Sequence, residues 1–387
     1  MTPSRAVPER MASMAGGVRT WFARTEKFVR FLRRASRITA ALGVRLDLEK
    51  GRVEMVHGSG GRASAQLVEE LFLPAFDNPW LRQAGDQAQL DLPEGRWAMS
   101  TDSFVISPLF FPGGDIGSLA VHGTVNDLAM GGAHPLYLTA GFVLEEGFPL
   151  SDLSRIVRSM GASARECGVS LVAGDTKVVE RGKGDGIYIN TAGIGRIPAG
   201  VVLDPSAIRP DDEILLSGPV GDHGAAVLAA REGERLATAL LSDSAPLHGL
   251  VAAMLASGPG LVCLRDPTRG GVASTLNEWA RISGLSLEIS ESGIPVRPEV
   301  RGISELLGID PLYLANEGRL LAVCRPEASE RLLSALRNHP AGRMASRIGK
   351  VGKGRPGRTD GTVRMTTLMG GSRTVDWLLG DPLPRIC

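Results

Sequence analysis

The sequence predicts an α/β (α+β) protein built as two halves of similar size with a cleft between them. Three observations carry that expectation. From Val53 onward, short strand-like apolar runs take turns with helical patterns, the mark of layered sheet-and-helix domains. The 387 residues exceed what a single core usually organises. Pro198–Pro210 carries three prolines and little periodicity, so it reads as the boundary. The expected divisions are 1–52, a basic extension; 53–198; 199–375; and 376–387, a mobile tail.

Val53–His57 reads as a strand running into Gly58-Ser59-Gly60-Gly61, with a helix from Ala63 to about Phe72. Arg96–Ser107 alternates as a strand should. Ile116–Met130 is helical and stops at Gly131-Gly132. Strand Tyr137–Glu145, helix Leu153–Cys167 and buried strand Val169–Ala173 follow. That last strand is expected to end at the turn Gly174-Asp175-Thr176-Lys177, before strand Ile187–Ile197.

Beyond the boundary come strand Glu213–Ser217, helices Gly224–Arg231 and Ala245–Ala256, and strand Leu261–Leu264. Arg265–Gly271 breaks into a helix ending near Ser283. Strands Leu285–Ile289 and Leu312–Ala315, the turn Asn316-Glu317-Gly318 and strand Arg319–Cys324 come next. Helix Pro326–Asn338 and strand Ser346–Val351 complete the domain, with Gly352–Gly361 a Gly/Arg loop.

Bulk properties narrow the function. A net charge of +1 gives no general ground for nucleic-acid binding. No apolar run approaches the length of a membrane span. Cys167, Cys263, Cys324 and Cys387 show no CxxC or zinc spacing; Cys263 and Cys324 sit in apolar runs as small hydrophobes. A reducing cytoplasm fits them best. Residues 1–52 hold twelve Lys/Arg against four Asp/Glu. They read as a mobile extension or an over-long start, in preference to a basic membrane-surface helix, and without a clean apolar run they are not expected to be a signal peptide.

Five acidic residues stand beside strand ends or turn glycines: Asp86, Asp102, Asp127, Asp175 and Asp266. Hard carboxylate oxygens gathered from separate loops suit Mg²⁺, although any one of them alone reads as a turn residue. No GxxxxGK[ST] occurs. Gly58–Gly61 offers backbone N–H groups to phosphates instead. Lys177 is a phosphate-neutralising or proton-transferring candidate, or a solvated loop lysine. Glu317 is a proton-handling candidate, or an exposed turn carboxylate. The last six residues, Pro382–Cys387, form a strip stiffened by two prolines that can present a thiol to a pocket.

These motifs resemble the HypE family of hydrogenase maturation factors, in the superfamily of aminoimidazole ribonucleotide synthetase, selenophosphate synthetase and thiamine-monophosphate kinase. The matching stretches are HGSGG (57–61), STDS (100–103), PLFFPGG (108–114), GTVND (123–127), GDTKV (174–178), INTAG (189–193), GDHG (221–224), RDPTRGG (265–271), ANEG (315–318) and PRIC (384–387). They run in the family's order from about Val53 to the last residue. Residues 1–52 lie outside the pattern. The family's paired Asp-Asp near the first metal site reads Asp86-Gln87 here.

The resemblance implies a two-domain aminoimidazole ribonucleotide synthetase-like architecture with an ATP cleft between the halves and a flexible C-terminal tail. It implies ATP-dependent dehydration of an S-carbamoyl group on Cys387 to a thiocyanate. Lys177 and Glu317 then handle protons. Gly58, Ser59, Gly60, Gly61, Asp102, Asn126, Asp127, Gly174, Asp175, Thr176, Thr268 and Arg269 bind ATP, and Asp102, Asp127, Asp175, Asp266 and Asp86 hold Mg²⁺. The implied partners are a HypF-type carbamoyltransferase, a HypC–HypD iron-carrying complex and a second copy in a homodimer. Phosphotransfer to a free small molecule, or a non-enzymatic thiol carrier, are the alternatives. Either the pocket or the donor enzyme is expected to activate the thiol.

Overall fold

A computed structural model describes residues 45–83, 85–236, 238–354, 361–378 and 385–387. Most of the expected basic extension, the middle of the Gly/Arg loop and the prolines of the terminal strip lie outside the described residues.

The expected first strand is a single bridge followed by a 3-10 turn, Met55–Gly58. Val53 exchanges backbone bonds with Gly147 and Phe148 at 2.7 and 2.8 Å. His57 Nδ1 then accepts from the Glu54 N–H at 2.9 Å and closes the turn. Helix α1 runs Arg62–Leu67, widens through a π-turn at Val68–Phe72, and continues as Leu73–Phe76. Pro74, which has no N–H to donate, follows the widened turn.

A four-stranded sheet organises the first half: β1 (Arg96–Phe104), β4 (His134–Glu145), β5 (Ser170–Val179) and β6 (Ile187–Ile197), in spatial order β1-β6-β4-β5. A two-residue hairpin, β2 (Phe110–Phe111) with β3 (Gly114–Asp115), precedes α2 (Ile116–Met130). Asp115 caps that helix by accepting from Gly117 and Ser118. Helices α2 and α3 (Leu150–Cys167) cover one face of the sheet. β1 stops three residues short of the expected end because Val105–Ser107 pair with the chain terminus instead. The expected turn at Gly174–Lys177 is continuous strand. Gly174 serves close cross-strand approach there, since a Cβ would lie 2.8 Å from the Ala140 carbonyl.

The second half contains β7 (Glu213–Leu216), α4 (Asp222–Glu232), α5 (His248–Ala256), β8 (Leu261–Arg265), α6 (Gly271–Ser283), β9 (Ser286–Ser290), α7 (Pro298–Leu307), β10 (Leu321–Cys324), α8 (Pro326–Asn338), β11 (Ser346–Val351), β12 (Thr362–Thr366) and β13 (Ser372–Val375). Seven of these form one sheet, ordered β13-β12-β9-β11-β7-β10-β8. Ile214 and Leu216 face α6, whereas Leu215 faces α5 and α8. A strand buried on both faces therefore reads as an unbroken apolar run. Leu312–Ala315 is not the expected strand; Pro311–Tyr313 is a 3-10 turn leading into buried coil. Helix α5 starts at His248, because Ala245 and Leu247 spend their N–H groups on Glu317 and Asn126.

The two halves share packing. Ala225, Ala226, Val227 and Ala229 of α4 belong to the first half's core, together with Ile106, Phe111 and the tail residue Ile386. Asn126 of α2 crosses the other way. Its amide donates to the Ala245 and Glu317 carbonyls at 3.1 and 3.3 Å, and its carbonyl accepts from Leu247 at 2.7 Å.

Candidate active site at the junction of the halves

The covered face of β1 and the turns of the second half bring four predicted carboxylates into one electrostatic group. Asp102 lies in β1; Asp127 lies in α2 and accepts from Ser100 Oγ at 2.6 Å. Asp266 follows β8, and Glu317 sits in the Asn316–Gly318 turn. Asp266 and Glu317 are 5% and 2% exposed, so the turn carboxylate is buried rather than solvated. Burial, then the Asp127 charge, pushes Asp266 up to about 7. Glu317 is pushed well above the carboxylate range by burial, then by Asp266, Asp243, Asp102 and Asp127. Burial also raises Asp102 and Asp127. The Glu317 Oε1 atom has no hydrogen-bond partner. The crowding favours the protonated carboxyls, above all at Glu317, and a cation bound among them would take the place of those protons.

Arg269 of the second half faces Asp102 of the first across the junction, its guanidinium 3.6 Å away. Thr268 is half-buried beside it. Asn126 spends both donors within the protein and accepts from Leu247, so its side chain acts as a strut between the halves. Beneath Glu317 lies a charged network that sequence reasoning missed. Asp222 Oδ2 pairs with Arg297 at 2.9 Å and Arg319 at 3.4 Å, and Arg319 reaches Asp243 at 3.6 Å. Asp243 accepts from the Glu317 N–H at 3.1 Å. Asp222 belongs to the GDHG stretch, which was the available signal; Asp243 stood in no motif.

The described end of the tail is docked, not free. Ile386 forms an antiparallel bridge with Ile106. Val105 N–H donates to Cys387 O at 3.3 Å and Ser107 N–H to Arg385 O at 3.2 Å. Arg385 pairs with Asp185, and Arg231 donates to the Arg385 carbonyl. The Cys387 thiol is pushed up, first by burial and then by Glu317. The seat therefore disfavours the thiolate, which favours the donor enzyme over the pocket as the source of activation.

The remaining predicted residues form a second cluster at the far edge of the same sheet. His57, Gly58, Gly60, Gly174, Asp175, Thr176 and Lys177 line a cavity of about 250 Å³ with apolar walls from α1, β4 and β5. Lys177 Nζ pairs with Asp175 at 2.6 Å, and that ion pair holds the Asp175 carboxyl below its usual range. Ser59 and Gly61 flank this cavity at the start of α1. The register runs Ser103, Asn190, Gly141, Asp175 across four strands. Asp175 is thus three strand spacings, about 14 Å, from the residue beside Asp102. Asp175 and Lys177 also alternate onto the face that α2 and α3 leave uncovered, whereas Asp102 points toward Asp127. One chain does not bring Lys177 to Glu317. Asp86 lies in an exposed loop ahead of β1. Among the described residues no three His, Cys, Asp or Glu stand ready to hold a metal by themselves.

Two sequence families match the chain: "AIR synthase related protein, N-terminal domain" over residues 84–197, and the corresponding C-terminal domain over 209–360. The "Carbamoyl dehydratase HypE" of Azotobacter vinelandii is 62% identical, covering 89% of this chain and 99% of that protein. A crystal structure of hydrogenase maturation protein HypE in complex with ATP is 50% identical, with a TM-score of 0.82 over 86% of this chain and 99% of that one. A HypE–HypF complex is 47% identical, with a TM-score of 0.70 over 81% of this chain and 99% of that one.

Proposed function

We infer what this protein does from kinship and geometry together: the chain belongs to the HypE family of AIR synthase-related proteins. It is an ATP-dependent carbamoyl dehydratase of hydrogenase maturation. The substrate in our reading is an S-carbamoyl group on Cys387 of the same chain, supplied by a HypF-type carbamoyltransferase. The product is a thiocyanate whose cyanide passes to iron on a HypC–HypD complex and becomes a ligand of the [NiFe]-hydrogenase centre. One observation supports this most directly. The terminal sulfur is seated within the electrostatic reach of Glu317, Asp102, Asp266 and Arg269.

Leaving-group chemistry dictates the route. A carboxamide oxygen cannot depart as hydroxide, so it attacks the γ-phosphorus of ATP, releasing ADP and one N–H proton. The resulting imidate phosphate loses phosphate and the second N–H proton, leaving S–C≡N. Glu317, whose carboxyl acts on the Cys387 sulfur, is the candidate to take or relay those protons. Docking the tail replaces a bimolecular encounter with a tethered one. Magnesium fits the donor set. Asp102, Asp127 and Asp266 offer hard oxygens already crowded with negative charge, and phosphate oxygens would complete the shell. Bound there, it would spread the charge of the transferring phosphoryl group.

The split between the two clusters favours a twofold dimer. The uncovered sheet face presents Met99, Thr101, Ile194, Thr139 and Val143, of which Met99 is 75% exposed. A second copy on this face would set the glycine loop, Asp175 and Lys177 of one protomer against Asp102, Asp266 and Glu317 of its partner. Lys177 would then serve the site it cannot reach within its own chain. Intact mass settles the chemistry: protein with the donor enzyme, carbamoyl phosphate and Mg-ATP should gain a carbamoyl group and then lose one water. A Cys387→Ala variant should do neither. Persistence of the carbamoyl adduct with ATP present would overturn the reading, and product formed by Cys387→Ala would favour a free small-molecule substrate.

A further inference from the structure

His223 is fully buried at the first turn of α4, yet it takes no place in the chemistry above. Its Nε2 lies 2.8 Å from the carbonyl oxygen of Ile386, the residue before the reacting cysteine. Its Nδ1 lies 2.8 Å from Ser242 Oγ. The edge of the Phe111 ring meets it, centroids 5.3 Å apart. A carbonyl only accepts, so Nε2 must carry the proton and donate. Burial pushes the ring's pKa down to about 4, so the imidazole is neutral and Nδ1 is its bare nitrogen. Ser242 Oγ therefore donates to Nδ1, while it accepts from the Ser244 N–H at 3.0 Å. Ser242 is fixed in turn by its own N–H bond to Pro112 O at 2.8 Å. Each partner has one possible role, and together they select one tautomer that ends on the tail.

We propose that His223 is the positioning residue that seats Cys387, through a donor held for the Ile386 carbonyl by Ser242. This rests on the function inferred above but is tested apart from it. The other docking contacts read Arg385, the Ile386 side chain and the backbone, and the Cys387 side chain packs against the same core.

The test is alkylation of the full-length chain by iodoacetamide, followed by peptide mass mapping. Cys387 is half-buried, and Cys167, Cys263 and Cys324 are buried and serve as internal controls. In His223→Leu, Cys387 should label about tenfold faster, the release expected when one buried hydrogen bond and its partner's solvation are lost. The other three cysteines should stay protected. His223→Gln, which can still present an amide N–H, should recover much of the slow rate. Unchanged Cys387 labelling in His223→Leu would overturn the proposal. So would acceleration of all four cysteines together, which would mark a general loosening of the fold. Neither result depends on carbamoyl chemistry.

Discussion

If each active site is assembled from two chains, crippled chains must rescue one another. Consider Lys177→Ala and Glu317→Gln, prepared separately, unfolded together and refolded as an equal mixture. Each alone should fall by roughly 10²–10⁴ in rate, the usual contribution of a positioned proton-transfer group. Random pairing makes half the dimers mixed, and each mixed dimer holds one intact site and one doubly damaged site. About one quarter of all tails should then become thiocyanate within the time of a wild-type turnover. The two variants differ in mass, so intact-mass spectrometry shows which chain reacted. In the proposed dimer Glu317 and Cys387 act from the same chain, whereas Lys177 comes from the other. Thiocyanate should therefore appear only on the Lys177→Ala chain. Rescue on the Glu317→Gln chain would refute this assignment, and no rescue at all in verified mixed dimers would refute the shared site.

Further outcomes follow from the buried groups. Asp266 titrates near 7 in the folded chain against 3.8 as its reference. Between those values the native state holds a proton that the unfolded chain has lost, so this group's contribution to stability is full below about pH 4 and gone above about pH 7. Without nucleotide or magnesium, Asp266→Asn should flatten that part of the Tm-against-pH curve and raise Tm at pH 8; an unchanged slope would contradict it. Gly318→Ala places a Cβ 1.8 Å from the Asp243 carbonyl oxygen. It should cost about 2–4 kcal/mol in urea unfolding, with activity falling further because Glu317 is its neighbour. Asp222→Ala leaves Arg319 buried without its best-placed anion and should cost about 3–5 kcal/mol, whereas loss of an exposed pair such as Arg82–Asp77 should cost under about 1 kcal/mol.

Much of this was legible in the chain because period and punctuation are local properties. Ile116–Met130, Ile187–Ile197, Pro326–Asn338 and Ser346–Val351 match their expected bounds, each marked by a run of one period between clear stops. Errors arose where a distant partner decided. Val53 pairs once and turns, Gly174 lies inside a strand because Ala140 approaches closely, and Leu312–Ala315 curls to place Asn316 against Gly221 and Pro267. The β12–β13 hairpin and α7 went unread; β12 finds its parallel partner β9 some seventy residues earlier, which no local pattern announces. The carboxylates were legible as types, but their division into two groups was not. That division depends on the strand order β1-β6-β4-β5, which places neighbours in motif space at opposite edges of a sheet.

The docked thiol also fixes the order of chemical events. Carbamoylation needs a nucleophilic sulfur, and a free cysteine near neutral pH is only a few per cent thiolate. In the seat, burial and the Glu317 carboxyl push the thiol further from ionising. Forming a thiolate there would place a negative charge beside Asp102, Asp266 and Glu317, whose carboxyls burial already pushes toward their protonated forms. The seat is therefore a poor place to acquire the carbamoyl group, and in the proposed reaction acquisition belongs to the undocked tail. Once carbamoylated, the sulfur has no proton to lose and the group is neutral, so burial beside the carboxylates carries no ionisation penalty. Its amide N–H groups can donate to the orphaned Glu317 oxygen, which the bare thiol satisfies poorly. The same electrostatics that keep the unmodified sulfur inert thus favour return of the modified one, and the sequence of acquisition outside and dehydration inside needs no further gate.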